Sequence, residues 1–133
     1  SHRAADHGLM DPLEYVRQAD RETMLLAYVE NREAVECLEE IVAVPHVDLL
    51  FMGPADLSAS YGHPAETSHP DVQRAIGRVL QVAGEAGIPV GTVASDAESA
   101  RALLARGVRL LAISSDLQMI GRWGADTLRA LRG

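Results

Sequence analysis

Val47 to Met52 is a run of five apolar residues and one acid, and Gly53-Pro54 follows it at once. A short apolar run that ends at a turn signal reads as a strand buried on both faces. Pro54 offers no N–H to a ladder, and Gly53 accepts backbone conformations other residues avoid, so the strand has to stop there. Strands buried on both faces belong to parallel sheets, whose crossovers cover them with helices. Three more such runs occur, Met24 to Val29, Ile88 to Val93 and Val108 to Ile113. Helical patterns separate them. One follows Asn31 with Ala34, Cys37, Leu38 and Ile41 on one stripe. One starts at His69-Pro70-Asp71 and turns Val72, Ile76, Val79, Leu80 and Ala83 inward. A third runs from Ala97 to Arg106 behind the cap residue Asp96, and a fourth from about Leu117 to Leu131. Asp11-Pro12 opens a leading helix through Ala19, and a polar loop spans Ala59 to Ser68. The expected fold is α/β, a leading helix and then a parallel (βα)4 segment with right-handed crossovers.

A chain of 133 residues suits one segment, 1–133, with a real core. The net charge of −7 argues against nucleic acid as a partner. No apolar stretch approaches the ~20 residues of a membrane span, and no signal peptide is visible. The single cysteine, Cys37, cannot form an internal disulfide, so a cytoplasmic setting is expected. All twelve basic residues are arginine. Without lysine, neither Schiff-base chemistry nor a P-loop lysine is available to this segment. If it handles a carbanion next to a carbonyl, a metal has to take up the charge.

Parallel strands point their carboxyl ends to one side, and α/β proteins place their chemistry there. The four ends carry Glu30, Asp56, Ser95 and Ser115-Asp116. Glu30 and Asp56 come from neighbouring strands, and two carboxylates with room for water suit Mg2+ or Mn2+. The other reading makes both acids helix-start residues, with Asp56 capping the turn after Pro54. No Cys/His spacing suggests a structural zinc site. His2 and His7 are candidate ligands near the start. His46, His63 and His69 read as loop residues, with His69 starting a helix.

Glu30, GPADLS from Gly53 to Ser58 and HPDVQ from His69 to Gln73 resemble the HpcH/HpaI aldolase family. The similarity runs from Arg3-Ala4-Ala5 and the Tyr15 region to the last helix. It implies a metal-dependent, class II aldolase that makes or breaks a C–C bond in 2-keto-3-deoxy (4-hydroxy-2-oxo) acids, giving pyruvate and an aldehyde. It implies a TIM-type (β/α)8 barrel, of which this chain is the C-terminal half. Carried over by position, Glu30 and Asp56 are the metal carboxylates, for Mg2+ or Mn2+ with Co2+ as a further candidate. The amides of Ala55 and Asp56 beside Gly53 hold the pyruvate carboxylate, and Val93 and Ser115 line the substrate pocket. A citrate-lyase-β-like lyase acting on CoA thioesters and a non-catalytic half-barrel module are the competing readings.

Tyr28 stands where the family often has glutamine. An eight-stranded barrel takes ~250 residues. The family's catalytic arginine and histidine base belong to the other half, and Arg3 and His7 are poor substitutes. Such a segment is expected to be a fragment, one of two chains, or a half barrel that pairs with itself. Homo-oligomerisation or association with the missing N-terminal half follows, because open strand edges favour association.

Overall fold

A computed structural model describes residues 3–133, apart from the side chains of Arg3, Ala4 and Asp6. His2, and the Arg3 side chain, therefore lie outside the described residues. A 3-10 turn over Arg3–Gly8 precedes helix α1 (Pro12–Glu22). Then come β1 (Leu26–Val29), α2 (Arg32–Glu36), α3 (Leu38–Val42), β2 (Leu49–Met52), α4 (Pro54–Ser60) and α5 (Pro70–Glu85). β3 (Val90–Ala94), α6 (Ala97–Ala105), β4 (Leu110–Ile113) and α7 (Asp116–Arg132) complete the order. The strands form one parallel sheet in the order β1-β2-β3-β4. Each strand pairs with the next one in sequence, the winding from which a barrel closes.

The helix starts follow from their side chains. Asp11 accepts from the amides of Leu13 and Glu14, with Pro12 at the first helical position. Asn31 accepts from Ala34, and Ser115 from Gln118. Asp96 and Ser99 form a reciprocal capping box. At the opposite end of the sheet Asp48 accounts for the one acid inside an apolar run. Its carboxylate accepts from the Leu25 amide at 2.7 Å, and its own amide donates to the Leu25 carbonyl at 3.0 Å. That pair clamps the entry of β1 to the entry of β2.

The core lies between one sheet face and the helices. Val29, Leu50, Met52 and Val90 supply the sheet side, and Leu38, Leu57, Val72, Ile76 and Val79 the helical side. On the other face Tyr28, Phe51, Gly91 and Leu110 fall in one row across the sheet. Tyr28 and Phe51 pack with ring centroids 5.0 Å apart, yet Tyr28 is 59% exposed. Among the described residues Leu49 and Phe51 are buried on this side, while Tyr28, Val93 and Leu110 are exposed.

Here the structure corrects the sequence. All four residues of β2 are buried, as its apolar run requires. β1 is only partly buried and β4 has no buried residue, although their runs predict strands enclosed on both faces. The reason is position: β1 and β4 are the sheet edges, and on the face away from the helical core only the central β2 side chains are buried. The helix after Asn31 is two short helices, because Cys37 leaves helical geometry at φ −97° and ψ 19°. α4 reaches Ser60, so the polar loop begins two residues later than expected. α7 buries none of its residues, and Trp123 is 72% exposed.

Gly91 is required by close approach. A Cβ there would lie 2.9 Å from Phe51 Cδ2 and 3.1 Å from Leu110 Cβ and Leu49 Cδ2. Gly91→Val is expected to lower unfolding free energy by about 1–3 kcal/mol, the usual cost of overpacking. Gly77→Ala, in open space on α5, is expected to be neutral or stabilising by up to ~1 kcal/mol. Urea denaturation of the two variants checks both.

Candidate active site

The carboxyl ends of the strands converge through the register of the sheet. Val29 pairs with Met52, so Glu30 and Gly53 are the next residues on neighbouring strands. Phe51 pairs with Gly91, and Val93 with Ala112. Continuing the register two residues beyond Phe51 sets Gly53 beside Val93. Glu30, Gly53, Val93 and Ala112 thus form one row on the face away from the helical core, at the carboxyl edge. Val93 is 51% exposed there.

Gly53 is what lets Glu30 occupy this row. A Cβ on Gly53 would stand 2.9 Å from Glu30 Cβ and 3.0 Å from Glu30 Oε2. No side chain fits there without displacing the carboxylate. The Gly53 amide donates to the Val29 carbonyl at 3.3 Å, extending the parallel ladder one step. The Gly53 carbonyl accepts from Leu57 and begins α4. Gly53 is therefore the cap residue, with Pro54 at the first helical position. Asp56 lies within the first turn and caps nothing: α4 has no side-chain cap bond. The helix-cap reading of Asp56 is thereby corrected, since the turn begins three residues earlier. Asp56 is exposed and Glu30 half-buried. Ser58, fully buried, donates to the Ala55 carbonyl at 2.7 Å and stiffens the same turn. Ser60 accepts from the Arg32 amide at 2.9 Å, tying the end of α4 to the start of α2.

Beyond Val93 lies a cavity of about 360 Å3 at the ends of β3 and β4. Val93, Ser95, Ser115 and Arg122 are among its lining residues. Val93 and Ser115 are brought together there. Gly53, Ala55 and Asp56 do not line it; only the row through Val93 links them to it. Ser115 also caps α7 through the Gln118 amide at 3.2 Å, which commits one lone pair of its hydroxyl oxygen. His7 belongs to the opening turn and does not line this cavity.

Two positioning residues, Thr92 and Arg122, have little signal in the sequence. Thr92, fully buried, donates its hydroxyl to the Met52 carbonyl at 3.0 Å and pins the end of β2 to β3. A threonine inside an apolar strand carries no such message by itself. Arg122 of α7 donates to the Ser95 carbonyl at 3.1 Å across 27 residues. Ser95 donates to Asp96 Oδ2 at 2.9 Å. The Ser99 amide and hydroxyl, and the Ser95 hydroxyl, hold the Asp96 carboxyl below its ordinary value.

A parallel sheet wound β1-β2-β3-β4 with a helix after each strand defines a class, a segment of a (β/α) barrel. Residues 3–121 match the family model described as HpcH/HpaI aldolase/citrate lyase, and the chain belongs to that family. A hydroxypyruvate/pyruvate aldolase of Paraburkholderia phytofirmans is 36% identical over 130 residues, covering 98% of this chain and 49% of that protein. A 2-keto-3-deoxy-L-rhamnonate aldolase of Klebsiella pneumoniae is 40% identical over 117 residues, covering 88% and 43%. The crystal structure of an HpcH/HpaI aldolase/citrate lyase family protein from Burkholderia cenocepacia superposes with a TM-score of 0.88 at 38% identity, covering 98% of this chain and 50% of that one. The chain thus spans about half the length of the curated relatives it matches, and its sheet is half of a TIM-type barrel. Among the described residues no helix is long and apolar enough to cross a membrane.

Two outcomes follow from these contacts. Thr92→Val should cost about 1–3 kcal/mol in denaturant unfolding, because the Met52 carbonyl loses a buried donor. The second concerns pH. A carboxyl whose folded pKa lies below its unfolded value of ~3.9 stabilises the fold above that value. The gain disappears as pH falls through the folded pKa. Asp96→Asn should therefore lower Tm at pH 7, and the gap to wild type should close below about pH 4.

Proposed function

We propose that the protein carrying this chain is a divalent-metal-dependent aldolase acting on 2-keto-3-deoxy or 4-hydroxy-2-oxo acids, releasing pyruvate and an aldehyde. The observation that carries this reading is the Gly53 cradle, where only a residue without a Cβ leaves room for the Glu30 carboxylate. Around it the donor set fits a hard cation. Glu30, just past β1, and Asp56, in the first turn of the helix after β2, offer carboxylate oxygens, the ligand type that suits Mg2+, Mn2+ or Co2+. Such an ion would supply Lewis-acid stabilisation of negative charge developing on a 2-oxo acid.

The chain's own residues do the rest. The tight Gly53-Pro54 turn starts α4, and the amides of Ala55 and Asp56 fall in its first turn, where helical N–H groups lack partners and favour an anion. They would receive the pyruvate carboxylate. Val93 in the same row would bound the apolar side of the substrate, and Ser115, in the neighbouring cavity, its polar end. Thr92, through the Met52 carbonyl, keeps the end of β2 from shifting. No proton-transfer role is assigned to any residue of this chain. The arginine and base would come from the other half of the barrel, so the chain by itself is catalytically incomplete. Its association with that half, or with a second copy, restores the closed wall.

The family's description also covers citrate lyase, so acyl-CoA substrates are the arm to test against. Calorimetric titration with Mn2+ should show saturable binding that Asp56→Ala and Glu30→Gln each weaken at least tenfold. Gly53→Ala should weaken it as well, with both acids still present. Pyruvate release from 2-keto-3-deoxy sugar acids by the complete barrel, lost in Asp56→Ala, is the expected activity. Cleavage of acyl-CoA substrates alone would overturn the substrate assignment, and Mn2+ affinity equal in wild type and Asp56→Ala would overturn the site.

A further inference from the structure

The loop between α4 and α5 gathers three ligating side chains that the aldolase site does not use. His63 Nε2 lies 3.4 Å from Asp71 Oδ2, and His69 Nδ1 lies 3.9 Å from the same oxygen. One nitrogen from each imidazole and one Asp71 oxygen fall within 4.8 Å of one another. The two rings stack with centroids 3.3 Å apart and planes 17° from parallel. All three residues are half-buried. No zinc spacing is legible here, and His63 and His69 read as loop residues with His69 starting a helix. Six positions separate them, and folding closes that interval. The backbone holds it closed: the His63 amide donates to the Ser58 carbonyl at 2.8 Å, and the His69 amide to the Glu66 carbonyl at 2.9 Å.

We infer that His63, His69 and Asp71 form a binding site for a borderline divalent cation of the Zn2+ type. Two imidazoles and one carboxylate are a donor set such ions favour, whereas Mg2+ and Mn2+ prefer oxygen throughout. Zn–N contacts of about 2.0–2.1 Å need the rings edge-on to the ion. Entry of the ion therefore splays the stack. Two contacts border the site. Arg74 pairs with Asp71 Oδ1, which leaves Oδ2 for the metal. The Asp71 amide donates to His69 Nδ1 at 3.2 Å, as the cap of α5. An ion that takes Nδ1 displaces this cap; one that takes Nε2 leaves it intact. In either case the ion would fasten the loop behind α4, the helix that begins at Gly53.

The site is separable from Glu30 and Asp56. Zn2+ is titrated by calorimetry into the protein and into His63→Gln, His69→Asn, His46→Gln and Glu30→Gln/Asp56→Asn. Asparagine at position 69 retains a helix-cap acceptor. One Zn2+ equivalent is expected to weaken at least tenfold in His63→Gln and in His69→Asn. The same equivalent should persist in the His46 variant and in the double acid variant. In the wild-type protein Zn2+ should also shift the ring 1H–13C signals of both His63 and His69. Unchanged Zn2+ affinity in His63→Gln and His69→Asn, or ring signals that do not move in wild type, would overturn the inference.

Discussion

Enclosure of β2 on both faces is the constraint on which the carboxyl edge depends. Leu50 and Met52 enter the helical core while Leu49 and Phe51 lie buried on the other face. A strand held on two sides cannot slide by one residue without exchanging these sets. Its register with β1 and β3 is therefore fixed, and Gly53 follows at a fixed place. Glu30 can stand beside it because Gly53 has no Cβ to intrude. The bond from Thr92 to the Met52 carbonyl closes the last open step of this chain of constraints. Stability and site geometry meet in the same few residues.

Much of this architecture is legible in local chemistry. The apolar runs find four strands in the right order, because each is bounded by a turn signal that a helix start then uses. Asp11, Asn31, His69 and Asp96 all cap the helices they precede. Burial is less legible. The runs in β1 and β4 are as apolar as the one in β2, and yet they lie at the sheet edges. Apolar content reports what a strand needs to have covered, and not which chain covers it. The break at Cys37 is silent for a related reason: the apolar stripe of Ala34, Leu38 and Ile41 keeps its spacing across the interruption.

The candidate site divides along the same line. Glu30, Gly53 and Asp56 stand out as candidates because a glycine-proline stop follows a buried run, with Asp56 in the first turn of the helix it starts. Their shared row with Val93 is not, since it depends on the pairing register of three strands. Thr92 and Arg122 act through bonds spanning 40 and 27 residues. No local pattern encodes such a reach. His63 and His69 are hidden for the opposite reason. Six residues of loop give no periodicity to read, and only the folded turn stacks the rings.

The partly exposed sheet face explains why so little of the cavity at β3 and β4 is enclosed. Tyr28, Val93 and Leu110 stand in water there, as Leu117, Ile120 and Trp123 do along α7. Single exposed apolar residues are ordinary, but rows of them along a sheet and a helix are a surface that folding alone has not satisfied. In a closed barrel the face opposite the helices is the interior, packed by side chains from all its strands. The relatives are about twice as long. Glu30, Gly53 and Val93 lie on the rim of that face. In the whole barrel proposed above, covering the apolar rows would also wall the carboxyl edge and exclude water from around the Glu30 carboxylate, a setting in which a fixed charge acts with far more force than it does on an open sheet.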